Sequence, residues 1–335
     1  MSFLSVIARL HSLMKRYTEL MAFPQVIRLG TSAFPARLAY GMIGLGIFFK
    51  TEQETGSVAM AGFAIGLNSL AGAVTAGIRG SVMDHFGQKW PIRILVPMYS
   101  SLILLLNTME TGRSILITSF ILGITAPPIN LSVRPLWKDI VPESYLRTAY
   151  AFDSSMMSST SVIGPVVISA LSLSSRPALG LGTTAALMFI GGVALSLTPA
   201  SRDWIPEKKE KNQQKLWRDR AIRLLMLEGC FIGFGWGVFD VAIPAFATQE
   251  GVQHRVAWIF ATFGIATVVG GLLGGLVSKR LAPLSALRRA YILWLIACIP
   301  VAFTYPDWSM ALAGACISFL GGALQVFYFE VLEAV

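Results

Sequence analysis

Six stretches of the chain carry no Asp, Glu, Lys or Arg: Ser57–Ile78, Ser114–Val133, Ser154–Ser175, Pro177–Ser201, Val256–Ser278 and Trp308–Phe329. About 20 helical residues cross the ~30 Å hydrocarbon core of a bilayer. Inside that core every backbone N–H and C=O must be satisfied by the chain itself, which leaves helices and closed barrels. The apolar runs are continuous rather than alternating, so a β-barrel is excluded. Composition agrees: 54% of the residues are hydrophobic and 13% charged, where soluble domains carry about 25% charged residues. The expectation is an all-α polytopic membrane protein.

Ten transmembrane helices are expected, at about 29–49, 57–79, 92–109, 113–134, 148–173, 177–198, 221–247, 255–278, 290–305 and 308–330. Pro127-Pro128 must kink the fourth or end its regular part. Residues 202–223 are dense in charge and form the longest hydrophilic stretch, after the sixth helix. Four regions follow: 1–23, a first transmembrane bundle over 24–200, a linking loop over 201–220, and a second bundle over 221–335. Within 1–23, Phe3, Val6, Ile7, Leu10, Leu13, Met14, Tyr17, Leu20 and Met21 recur at three- and four-residue steps. This is one face of an amphipathic helix lying in the membrane interface, with a disordered tail as the alternative. Arg9, Lys15 and Arg16 interrupt any signal-peptide core.

The net charge of +9 is explained by topology and needs no nucleic acid. With the N-terminus in the cytoplasm, only Lys50, Arg113, Arg176 and Arg255 fall in outer loops and Arg37 falls within the first helix. Every other Lys and Arg is cytoplasmic. Cys230, Cys298 and Cys316 lie in apolar helices, where thiols pack rather than pair. No His or Cys pair has metal spacing and no nucleophile–base constellation appears, so neither enzyme, metal nor cofactor is expected. The phosphate loop GxxxxGK[ST] is absent, which argues against an ATP-driven pump.

Between the second and third helices lies Gly80–Trp90, GSVMDHFGQKW. This stretch resembles the loop between the second and third helices of the major facilitator superfamily, whose pattern is Gly, three residues, Asp, a basic residue, any residue, Gly and two basic residues. Gly80, Asp84, Gly87 and Lys89 match it, while His85 and Gln88 stand where Arg or Lys is expected. The resemblance implies a cytoplasmic gate at Asp84 and two parallel six-helix halves. An offset of 195 residues relates Arg28 to Arg223, Arg93 to Arg288 and Gly80 to Gly275. By that offset the second half should run well past Val335, so a complete six-helix bundle is expected beside an incomplete four-helix one. Gly270, Gly271, Gly274, Gly314 and Gly321 are then expected to lie bare toward lipid, because glycine faces serve close helix approach.

Ionisable groups inside transmembrane helices are functional candidates. Arg37 is either an anion or carboxylate contact or a snorkelling residue. Asp240 sits on the seventh helix among Gly233, Gly235, Gly237 and Pro244, a pattern suited to a gating helix, and is the candidate proton carrier. Glu228, twelve residues earlier, is a second candidate. Asp153 is expected about one turn inside the fifth helix, in a cytoplasmic charge network with Arg134, Arg147 or Arg79, or as a helix N-terminal acid. Asn68 and Asn130 could bond substrate or bridge helices. Gly164-Pro165 matches the start of the family's antiporter pattern in helix five, but Val166, Val167, Ile168 and Ser169 follow it.

The function expected is secondary transport of a small molecule across the plasma membrane by alternating access, two bundles rocking around a central cavity, with proton-coupled efflux as the direction. A non-transporting receptor or scaffold derived from the same fold, or an inactive fragment of it, is the alternative.

Overall fold

The computed structural model describes residues 15–205, 220–277 and 283–333. Helices α1 to α10 are Pro24–Thr55, Val58–Phe86, Lys89–Thr108, α4 in two pieces (α4a Gly112–Thr125, α4b Ile129–Ile140), Glu143–Ser172, Ala178–Leu197, Arg220–Gln249, Val256–Val277, Pro283–Cys298 and Trp308–Glu333. Among the described residues nine spans are long and apolar enough to cross a membrane. The expected ninth helix is instead 16 α-helical residues, α9, followed by a 3₁₀ segment Ile299–Phe303. Pro300 lacks the N–H that an α-helical turn would use there.

Of the expected surface helix, residues 15–21 are helical, and residues 1–14 lie outside the described residues. The chain turns at Ala22 and Phe23, and Pro24 opens α1, where its missing N–H is no loss. Leu20 is fully buried, Tyr145 Oη donates to Glu19 at 2.9 Å, and Phe23 packs edge-on to Tyr145 at 5.5 Å. These contacts dock the segment on the start of α5. The central stretch 206–219 lies outside the described residues.

Packing divides the chain into two compact units that do not follow chain order, since α1, α2, α5 and α6 each contribute to both. The first comprises Met1–Gly41, Leu67–Thr160 and Leu181–Glu207. Its core holds Leu29, Ile92, Tyr99, Ile103, Ile115 and Trp137. Glycine sets two of its helix contacts. A Cβ on Gly123 would lie 2.2 Å from the Asn68 carbonyl, and one on Gly191 would lie 2.3 Å from the Ala36 nitrogen. So α2 lies against α4a, and α1 against α6, backbone to backbone.

The second unit comprises Met42–Gly66, Ser161–Gly180 and Lys208–Val335. Here the α1–α2 hairpin, turning at Gly56 (φ 62°), meets the end of α5: Gln53 Nε2 donates to the Ser172 carbonyl at 3.0 Å. Gly62 of α2 faces Val241 of α7, and Gly264 of α8 faces Val162 of α5.

The expectation of bare glycines is corrected in this unit. A Cβ on Gly270 would fall 1.8 Å from the Phe319 carbonyl, one on Gly314 would fall 1.9 Å from the Phe263 ring, and one on Gly321 would fall 2.8 Å from Trp236. Gly271 lies against the Gly322 carbonyl. The glycines bring α8 and α10 together and seat Trp236 of α7, so their partners lie within the chain. Gly274 lies outside the residues whose surroundings are described.

Candidate functional site

The expected polar turn is much shorter than its sequence suggests. Helix α2 continues through Asp84 to Phe86, so Gly80 and Asp84 are helical, and only Gly87 and Gln88 break the chain before α3. Gly87 takes φ 74°, a conformation that penalises a side chain. Asp84 is exposed, and Lys89 lies 5.5 Å from the centre of the Trp90 ring.

Gln88, at the position where the resemblance expects a cation, is fully buried. Its Nε2 donates to the Ser132 carbonyl at 2.9 Å, and its Oε1 accepts from Ser201 Oγ at 3.2 Å. Ser201 belongs to the short helix Pro199–Arg202 after α6. A Lys or Arg can only donate and would leave the Ser201 hydroxyl without this acceptor, in a place where a charge is costly. The neutral amide therefore ties the α2–α3 turn to α4b and to the end of α6.

Arg37 is not snorkelling. Its Nη1 meets Asp153 Oδ1 at 2.7 Å, with side-chain exposures of 2% and 8%. Arg37 lies thirteen residues into α1, and Asp153 ten residues into α5, roughly 20 Å and 15 Å along their axes. Asp153 is therefore deeper than the one turn expected, because α5 begins at Glu143. Its partner is Arg37, whereas Arg134 is exposed and stands 5.4 Å from the Tyr150 ring centre. The Arg147 side chain lies outside the described residues. Arg37 Nε and Nη2 are buried without acceptors.

The break in α4 gathers further polar groups. Pro127 and Pro128 supply no N–H, so carbonyls of α4a are left without helical donors. Arg79 Nη1 donates to the Gly123 carbonyl at 3.1 Å and the Ala126 carbonyl at 2.6 Å, while Nη2 donates to the Gly72 carbonyl at 2.6 Å. Tyr40 Oη donates to the Pro127 carbonyl, and its ring lies 6.0 Å from that of Tyr99. Asn68 Nδ2 donates to the Ser119 carbonyl at 2.9 Å, an interhelical use. Asn130, in the first turn of α4b, is exposed. The sequence places Arg79 at the cytoplasmic end of the second helix, as a candidate partner of Asp153, whereas its acceptors here are backbone carbonyls. The signal pointing elsewhere was the Pro-Pro pair, whose freed carbonyls require a donor.

On α7, Glu228 is half-buried and accepts from Tyr291 Oη of α9, beside the apolar cluster of Leu287, Ala290, Leu324 and Phe327. Asp240 is exposed. Gly233, Gly237 and Asp240 are spaced i, i+4, i+7 and so share one face. A Cβ on either glycine would meet nothing within 4 Å. Gly164 and Pro165 are buried inside α5, which runs through them as helix. Among the described residues no cluster of His, Cys, Asp or Glu could hold a metal.

Comparison with known proteins agrees with this architecture. An uncharacterized MFS-type transporter, y4rN, of Sinorhizobium fredii is 24% identical over 274 residues, 77% of this chain and 68% of that protein. The nucleoside transporter NupG is similar in fold, with TM-score 0.68 at 15% identity over 92% of this chain and 82% of that one. A bacterial homolog of the human lysosomal transporter Spinster, solved inward-facing and unoccupied, gives TM-score 0.61 at 15% identity over 90% and 74% of the two chains. The family model of the Major Facilitator Superfamily matches residues 29–334, and the chain belongs to that superfamily of membrane transporters.

Proposed function

We propose that this protein moves a small molecule across the plasma membrane by alternating access, coupled to a proton and in the direction of efflux, with its N-terminus in the cytoplasm. The observation that carries the reading is Asp240, an exposed carboxylate inside a membrane span, on a face that Gly233 and Gly237 leave open. A charged side chain within a bilayer is tolerated where it meets protein or water, and such residues mark ion and proton pathways. In this reading Asp240 takes and releases the proton, and the glycines leave room beside it. Asp84, at the last turn of α2, serves as the cytoplasmic gate through charge-assisted contacts.

The Lys and Arg distribution supports the orientation, since the outer loops carry only Lys50, Arg113, Arg176 and Arg255. An uptake and efflux screen in a transporter-deficient host tests the proposal, run in parallel on the wild type and Asp84→Asn. The expected result is compound efflux by the wild type and reduced efflux by the variant at equal membrane insertion. Equal rates in the two would remove the gate at Asp84.

A further inference from the structure

A transporter helix interrupted near the middle exposes carbonyl groups, and in such folds the exposed carbonyls hold coupling cations. Here the interruption at Ala126–Pro128 already holds a cation that belongs to the chain. Arg79 brings a guanidinium from α2 to the Gly123 and Ala126 carbonyls and adds the Gly72 carbonyl of its own helix. All three of these acceptors are backbone carbonyls, and Arg79 Nε is buried without an acceptor. The charge is thus held by backbone dipoles, including the negative end of α4a.

The geometry selects this group. Nη1 serves two carbonyls at the break in α4 while Nη2 serves a third on α2, so the planar fork bridges two helices at once. An ammonium group, a point donor on a flexible stem, cannot reproduce that bridge. The neighbouring carbonyl of Pro127 is filled separately by Tyr40 Oη.

We infer that the break in α4 is a monovalent-cation site built from backbone carbonyls and occupied by the protein's own Arg79 guanidinium. Arg79 is a positioning residue: it fixes the end of α4a against α2. Truncating it vacates a site whose shape and donor demand fit a free guanidinium ion. The site is independent of substrate and of Asp240, so it stands whether or not proton coupling does.

Thermal unfolding of the full chain in detergent micelles, followed by tryptophan fluorescence, tests this. The wild type, Arg79→Ala and Arg79→Lys are compared with millimolar guanidinium chloride and with equal sodium chloride. The expected result is that Arg79→Ala melts lower by roughly 5 °C. Guanidinium then restores most of that loss saturably, sodium does not, and the wild type is unmoved. Arg79→Lys, which puts a point charge at the site, is expected to melt below the wild type and to gain nothing from guanidinium. An Arg79→Ala protein as stable as the wild type overturns the inference, as does a guanidinium effect equal in both. If Arg79→Ala yields no folded protein, Arg79→Lys decides: melting at the wild-type temperature shows that the fork is not needed and overturns it.

Discussion

Arg37 and Asp153 are 116 residues apart in sequence and meet at 2.7 Å, both almost wholly out of contact with solvent. Around them the packing is close: a Cβ on Gly30 would lie 3.2 Å from the Met156 sulfur and 3.4 Å from the Phe152 ring. The pair ties α1 to α5 within one compact unit.

Removing one member of the pair strands the other charge. Arg37→Leu or Asp153→Leu alone should destabilise the protein by about 3–5 kcal/mol, whereas Arg37→Met with Asp153→Leu should recover most of the loss. Thermal melting of the three variants checks this. A double variant no better than the worse single one would show that packing, and not stranded charge, sets the cost.

Gln88 predicts a reversal of the family pattern. Restoring the expected cation with Gln88→Lys should lower stability by roughly 2–4 kcal/mol, because the buried ammonium loses the Ser201 bond and gains no counter-ion. The wild-type amide should outperform Lys and Arg alike in yield of folded protein from membranes. A stabilised Gln88→Lys protein would remove the role assigned to the amide.

The α2–α4a contact predicts a sharp contrast between glycines. Gly123→Ala drives a methyl to within 2.2 Å of the Asn68 carbonyl, so the helices must part, at roughly 1–3 kcal/mol. Gly77 sits in the same α2 helix with nothing within 4 Å of a Cβ, so Gly77→Ala should be neutral or stabilising by up to about 1 kcal/mol. Paired melting curves distinguish them.

The membrane helices were legible because hydrocarbon demands continuous apolar runs, and α4 broke where Pro127-Pro128 said it must. The ends were less legible. Helices α2 and α5 extend past their apolar runs into polar turns, so Gly80 and Asp84 looked like loop residues and Asp153 looked shallow. Partners were not legible at all. Arg37 has no acid near it in sequence, and only tertiary packing brings Asp153 to it. The glycines of α8 and α10 were recognised as an approach surface, but their partners proved to be each other and Trp236. Gln88 looked like a lost cation because its acceptor and donor, Ser132 and Ser201, are contributed by distant segments.

Asp240, as proposed here, carries the proton that drives transport. Its most direct test is proteoliposome transport of a compound found by the screen, with and without an imposed pH gradient, for wild type and Asp240→Asn. The gradient should accelerate wild-type transport, and Asp240→Asn should keep exchange of the compound but no longer respond to the gradient. A variant whose transport keeps the wild-type pH dependence, or a chain that moves no compound at all, would contradict it.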